Sequence, residues 1–282
     1  MIGKTCLVTG ANSGIGKETA IGLARMGARV LLVCRNQKKG EDARADIERE
    51  TGSSRLDLLI ADMSSFGSVR ALAAQVRQRY SRLDVLINNA GAAVPSRTLS
   101  ADGIEMTVAG NYLGAALLTF LLLDLLKSSA PSRIVNVSSE AHRSAPLDLN
   151  DLQFEQRKYS PIGAYGQSKL LMNAFTFELA HRLEGSGVTA NCLHPGVVAT
   201  NIVPSSAPLI FKIIFAAMKP FLLSPKRGAE TSLYLASSPE VANISGRYFV
   251  KSKPAASNAL SCDAKVQAAI WQWTEKLTGT TA

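Results

Sequence analysis

"TCLVTGANSGIGKETA" (residues 5–20) passes from an apolar run through a glycine-rich turn into residues at helical spacing. "TCLVTG" (5–10) reads as a short buried strand. Ile15, Ala20, Leu23 and Ala24 then recur along one helical face over 15–28. The turn "TGANSGIG" (9–16) sets Gly10, Gly14 and Gly16 in a G-x-x-x-G-x-G spacing. Glycine removes the Cβ where a chain turns tightly and lets backbone N–H groups approach a phosphate. The helix N-terminus beyond adds partial positive charge. Gly10, Asn12, Ser13, Gly14, Ile15 and Gly16 are therefore the expected cradle of a pyrophosphate. A glycine-rich loop alone is a weak sign; a strand before it, a helix after it and a second strand beyond make it a strong one.

The same alternation continues outward. Strands are expected at "RVLLVC" (29–34), "LDLLIA" (56–61), "DVLINN" (84–89), "RIVNVS" (133–138), "VTANCLHP" (188–195) and "GRYFV" (246–250). Helices are expected over about 37–51, 65–80, 103–127, 161–184, 206–222, 226–237 and 263–277. Parallel strands need crossovers, so this order implies an α/β fold: a doubly wound parallel sheet of about seven strands with helices on both faces. No linker, repeat or low-complexity stretch divides residues 1–282, which read as one domain.

Bulk properties fit that reading. Apolar residues make up 46% of the 282, enough for a sizeable core, and the net charge is +9. A basic balance favours anionic ligands, but Lys and Arg are scattered and no aromatic-studded basic stripe appears, so nucleic acid is not an expected partner. Cys6, Cys34, Cys192 and Cys262 lie far apart and form no C-x-x-C pair, so neither a zinc site nor a disulfide framework is expected and a reducing compartment is the default. The chain enters its first strand at once and offers no signal peptide. The nearest thing to a membrane span is "PLIFKIIFAAMKPFLLSP" (208–225), broken by Lys212, Lys219 and Pro220 and short of the ~18–20 uncharged apolar residues a span needs. The expected setting is the cytoplasm.

The end of the second strand should select the cofactor. An acid there would hold the ribose hydroxyls of NAD, whereas an Arg accommodates a 2′-phosphate. The strand ends "VCRN", with Cys34 in the acid's place and Arg35 after it, so NADP(H) is expected over NAD(H); Lys38 and Lys39 add to the same field.

Six short stretches then occur in one order: "TGANSGIG", "NNAG" (88–91), "GNYLG" (110–114), "NVSS" (136–139), "YGQSK" (165–169) and "HPGVVAT" (194–200). In this, and over nearly its whole length, the chain resembles the short-chain dehydrogenase/reductase family. The wording of "ANSGIGKE", "CRN", "VSSEAH" and "LHPG" is most similar to its retinol-dehydrogenase branch. The resemblance implies a Rossmann-type sheet and an oxidoreductase. It makes Ser139 the substrate-polarising serine, Tyr165 the acid/base, Lys169 its partner and Asn111 the anchor of a water relay. It puts Asn89, Ala90 and Gly91 on the adenosine side of the cleft, Asp62 and Met63 near the adenine, Pro195, Gly196 and Val198 along the nicotinamide, and Thr200 near its amide or the diphosphate. Three departures from the branch are the lack of its hydrophobic N-terminal anchor, which argues against membrane residence, Tyr112 in place of a His, and "GAALLT" (114–119) in place of "GHFLLT".

The chemistry needs these residue types. A reduced carbonyl leaves negative charge on oxygen, to be stabilised and then protonated. Tyrosine's pKa of about 10 makes it a slow proton donor at neutral pH unless a nearby cation lowers it. Tyr165 and Lys169 are four apart, hence on one helical face. Ser139 ends a strand, where α/β sheets gather ligands. His142, His181 and His194 are assigned no catalysis, and no metal is expected.

Leu209, Phe211, Ile213, Ile214, Phe215, Met218 and Phe221 make about 203–225 an expected cover for a lipophilic carbonyl or alcohol; core packing, a subunit interface and, less favoured, peripheral membrane contact stay open. "AALLTFLLLDLL" (115–126) is apolar nearly all round, as for a helix buried on several faces or at a homo-oligomer interface. Two other functions stay open: a catalytically silent dinucleotide-binding regulator, and C=C reduction or isomerisation on the same scaffold.

Overall fold

The computed structural model describes residues 1–198 and 223–281. Strand β1 (Thr5–Thr9) leads to helix α1 (Gly14–Arg25), β2 (Arg29–Cys34), α2 (Gln37–Thr51), β3 (Leu56–Ile60), α3 (Phe66–Arg79) and β4 (Val85–Asn88). A long helix α4 (Met106–Ser128) precedes β5 (Ser132–Val137), and α5 (Pro161–Arg182) precedes β6 (Val188–His194). After residue 222 come α6 (Pro225–Ser237), β7 (Tyr248–Val250), β8 (Lys253–Ala255), a short α7 (Ala259–Cys262) and α8 (Ala264–Thr278).

The strands form one sheet in the order β3-β2-β1-β4-β5-β6-β7-β8. The first seven are parallel, as the alternation required. The eighth, β8, is antiparallel to β7 and exceeds the expected count. Its turn puts Lys251 and Ser252 at φ 51° and 59°, a hairpin geometry usually signalled by Gly or Asn. Neither residue announces it, and Pro254 within the strand suits only an edge.

Successive strand residues face opposite layers. Cys6 and Val8 of β1 point into the core under α1, α2 and α6, while Leu7 points into the one under α3, α4, α5 and α8. Each strand is thus buried on both faces, hence the continuous apolar runs. Cys6, Cys34 and Cys192 are buried in strands and Cys262 is exposed; all four are free thiols.

The helix starts follow from local chemistry. Asn36 accepts from the Lys39 N–H to cap α2, Ser160 with Pro161 opens α5, and Asp263 caps α8. Helix α4 is long and apolar enough to cross a membrane, with mean hydropathy 1.7, a property sought in the sequence at 208–225. It is instead buried within the fold: Phe120 packs edge-on against Phe175 of α5 and Trp271 of α8, and Phe175 stacks on Trp271 at 5.3 Å. Its own chain therefore buries most of this helix. Tyr112 belongs to the same cluster, its hydroxyl 2.6 Å from Thr274 Oγ1.

The strand order reverses between β1 and β4, so the turns after these two strands diverge at the carboxyl edge of the sheet and open a crevice there.

Candidate active site

The glycine loop builds one wall of that crevice. Gly10 and Gly14 sit at φ 67° and 56°, where a side chain is strained. Gly16 lies so close to the Gly10 carbonyl that a Cβ would overlap it. Ser13 opens α1 without a side-chain cap, so the first-turn N–H groups stay available to an anion. Across the crevice, Thr9 Oγ1 accepts from the N–H groups of Asn89 and Ala90, and Asn89 Nδ2 donates to Thr9 O at 2.8 Å. These bonds fix the "NNAG" turn beside the glycine turn.

The crevice is a cavity of about 590 Å³ lined by Gly10, Asn12 to Gly16, Asn89 to Gly91, Ser139, Tyr165, Lys169, Pro195, Gly196 and Val198. A second compartment of about 310 Å³ adjoins it through Gly10, Asn12, Ala90 and Gly91, and holds Arg35, Asp62, Met63 and Asn111. Every residue singled out for cofactor or chemistry lines one or both, except Lys38, which lines neither, and Thr200, which lies outside the described residues together with 206–222. The chain leaves the described residues beside Val198 and returns at Leu223, where Leu223 donates to Val197 O at 2.8 Å.

Ser139 follows the last residue pair of β5, and Tyr165 and Lys169 lie one turn apart on α5. Burial pushes the Tyr165 hydroxyl's pKa up, and its hydrogen bond with Ser139 pulls part of that back. The lowering expected from Lys169 is not seen. Lys169 Nζ donates to Val137 O at 2.9 Å and sits under the ring, 5.6 Å from its centroid. The ammonium is itself only 3% exposed, and burial brings its pKa down to about 8. Burial outweighs charge here because both groups are sequestered.

Asn111 sits in a wider π-type turn, Ala109–Leu113, within α4. Its side chain accepts from Ala92 N–H at 2.8 Å and donates to Ala92 O and Ser168 Oγ. The three residues between Tyr165 and Lys169 are more than spacing. Gly166 leaves room for the Ala141 carbonyl, Gln167 binds Leu152 O and the Arg157 guanidinium, and Ser168 meets Asn111. Nothing in the sequence pattern signals these contacts, because each depends on a chain segment far away. Tyr112 does not reach the cleft. His142 is fully buried behind Ser139, His181 is exposed at the end of α5, and His194 accepts from the Glu140 N–H at 3.1 Å.

The donor set fits a phosphorylated dinucleotide. Glycines leave a cradle that Cβ atoms would fill, and the end of β2 has no acid, only the buried Cys34. Arg35, Asn36 and Lys39 line the adjoining compartment, with Arg35 exposed and 4.0 Å from Asp62. Lys39 is the stronger of the two lysines noted in the sequence, since it lines the compartment. Among the described residues no group of three His, Cys, Asp or Glu side chains stands ready to hold a metal.

Comparison with known proteins agrees with the geometry. The short chain dehydrogenase family profile matches residues 4–208. Retinol dehydrogenase 13 of Homo sapiens is 43% identical over 285 residues, covering 98% of this chain and 85% of that protein. An uncharacterized protein from Mycobacterium Paratuberculosis superposes with a TM-score of 0.80 at 35% identity, over 99% of this chain and 94% of the other. The Pseudomonas aeruginosa RhlG/NADP active-site complex gives 0.70 at 27% identity, over 88% and 94%.

Proposed function

Since the chain belongs to the short chain dehydrogenase family, we propose that it is an NADP(H)-dependent oxidoreductase interconverting an alcohol with an aldehyde or ketone. The observation that carries this reading is the single cleft shared by a glycine phosphate cradle, Ser139, Tyr165 and Lys169. The RhlG/NADP complex and the cations at the end of β2 support NADP(H) over NAD(H). The loop from Gly10 to Gly16 would hold the pyrophosphate, Arg35 and Lys39 the 2′-phosphate, Pro195 to Val198 the nicotinamide side, and Asp62 and Met63 would border the adenine. NADPH held there would supply a hydride to the carbonyl carbon.

Around that event each side chain has one task. The Ser139 hydroxyl donates to the substrate oxygen as negative charge develops there. The Tyr165 hydroxyl, protonated at neutral pH, releases its proton to the same oxygen. Lys169 beneath the ring stabilises the phenolate left behind. Asn111 holds Ala92 and Ser168 in place beside Lys169, where a proton path would start.

A lipophilic substrate is the favoured class. Similarity to retinol dehydrogenases supports it, as does the apolar composition of about 203–225, which we assign to covering the substrate within a single domain. Both ends of the stretch after Val198 stand at the cleft wall. Four free thiols fit a reducing compartment such as the cytoplasm.

NADPH oxidation followed across retinoid, steroid and aliphatic carbonyls tests the activity. Tyr165→Phe is expected to bind NADPH normally and lose turnover by about 10²–10⁴-fold. Undiminished turnover in that variant would sink the assignment.

A further inference from the structure

We propose that His142 is a positioning residue, which fixes the Ser139 peptide, and with it the Ser139 hydroxyl, against the C-terminal segment 256–258. The inference rests on the role given to Ser139 above.

The ring of His142 is fully buried and both of its nitrogens are engaged. Nε2 lies 3.2 Å from the Asn258 backbone N–H, which can only donate, so Nε2 is the acceptor. The ring proton therefore sits on Nδ1 and points at Ser139 O, 2.6 Å away. One neutral imidazole thus joins the peptide of Ser139 to Asn258, 119 residues further along the chain. Ser257 Oγ lies 3.2 Å from the same Nε2.

The turn after Ser139 is tied to that segment by three more hydrogen bonds. Asn258 Nδ2 donates to the carbonyls of His142 and Arg143, at 3.2 and 2.8 Å, and the Arg143 guanidinium donates to Ala256 O at 2.9 Å. On its other side the turn meets α5, where a Cβ on Gly166 would come within 2.8 Å of Ala141 O. Residues 139–144 are therefore wedged between the helix that carries Tyr165 and a segment that lines neither compartment of the cleft. Tyr248 packs edge-on against the His142 ring at 4.8 Å, leaving it little room to tilt. The ring spans two segments, with the shorter bond on the serine side.

A double-mutant cycle tests the inference, with NADPH and retinaldehyde as probes, or the best carbonyl of the panel. His142→Phe is expected to lower kcat by about ten-fold or more, with NADPH affinity changed by less than about two-fold. In a Ser139→Ala background the same substitution is expected to change kcat by less than about two-fold, because the residue through which it acts is gone. His142→Asn, whose amide nitrogen stands where Nδ1 does, should restore most of the lost turnover. Should His142→Phe not fold, His142→Gln takes its place in the cycle, keeping the Asn258 side and losing the Ser139 side. Independently of activity, ¹⁵N spectra should show an Nδ1-protonated His142 with a slowly exchanging proton; an Nε2-protonated ring would overturn the inference. Additive losses in the cycle would overturn it too, while leaving the proposed function standing. If Ser139→Ala alone leaves turnover unchanged, the role of Ser139 falls and this inference with it.

Discussion

Lys169→Met should make the protein more stable while abolishing its turnover. The ammonium is 3% exposed, donates one hydrogen bond to Val137 O, and has no carboxylate in ion-pair range among the described residues. Burial lowers its pKa from 10.5 to about 8. At about 1.4 kcal/mol for each factor of ten in proton affinity, carrying the charge in the folded state costs about 3 kcal/mol. That cost is complete below about pH 8, where the native chain must hold the buried charge. Between about 8 and 10.5 the unfolded chain still binds a proton that the native one has released, so native stability rises with pH and the cost disappears. Methionine fills similar space without charge but forfeits the Val137 bond, worth about 1 kcal/mol. The variant should therefore gain about 2 kcal/mol at pH 7, or about 4 °C in Tm for a chain this long. The gain should shrink and reverse as pH approaches 10.5. Urea titrations of the cofactor-free protein at pH 7, 8.5 and 10 measure this directly. A variant no more stable than the native protein at pH 7, or with an advantage that persists undiminished at pH 10, would refute the reasoning.

Arg35→Ala and Lys39→Ala should each weaken NADPH binding by about ten-fold, the scale of one charge-assisted contact, and leave NADH unaffected; equal losses for both cofactors in a fluorescence titration would count against a 2′-phosphate site. Asp84 is buried, which pushes its pKa up, but Arg82, the Thr5 N–H and Lys4 outweigh this and hold it below the ordinary carboxylate range. Its contribution is present above that range and lost as pH falls through the lowered native value, so Asp84→Asn should cost about 3 kcal/mol at pH 7 and progressively less in acid, as denaturation at pH 7 and pH 3 will show. Tyr112→Phe removes only the bond to Thr274 and should cost about 1 kcal/mol of stability with unchanged turnover; a large loss of activity would return Tyr112 to the cleft.

What could be read from the chain in advance was whatever is encoded locally. The strand–Gly10–Gly14–Gly16–helix passage and the continuous apolar runs of β1, β2 and β4 follow from backbone sterics and two-sided burial, which act over a few residues. The alignment of Ser139, Tyr165 and Lys169 was legible through family resemblance and the four-residue helical interval. The edge strand Lys253–Ala255 was not, because its turn uses Lys251 and Ser252 in a conformation that glycine normally marks. Nor was the direction of the Tyr165 pKa: a nearby lysine promises a lowering, but only the fold shows that Nζ turns to Val137 and that burial dominates. His142 looked incidental in sequence because its partner Asn258 is 116 residues away.

The placement of α8 bears on how the protein is made. Phe120 and Phe175, on the helices that carry Asn111 and Tyr165, are closed off from water by Trp271. A ribosome emits the N-terminal half first, and domains consolidate in that direction. The nucleotide-cradle strands can therefore pair early, whereas the aromatic face of α4 and α5 stays wet until residues 264–278 emerge from the exit tunnel. During that interval the nascent chain carries an exposed aromatic patch, the kind of surface that general chaperones grip. Burial of the aromatic face behind Tyr165 and Lys169 thus waits on residues 264–278.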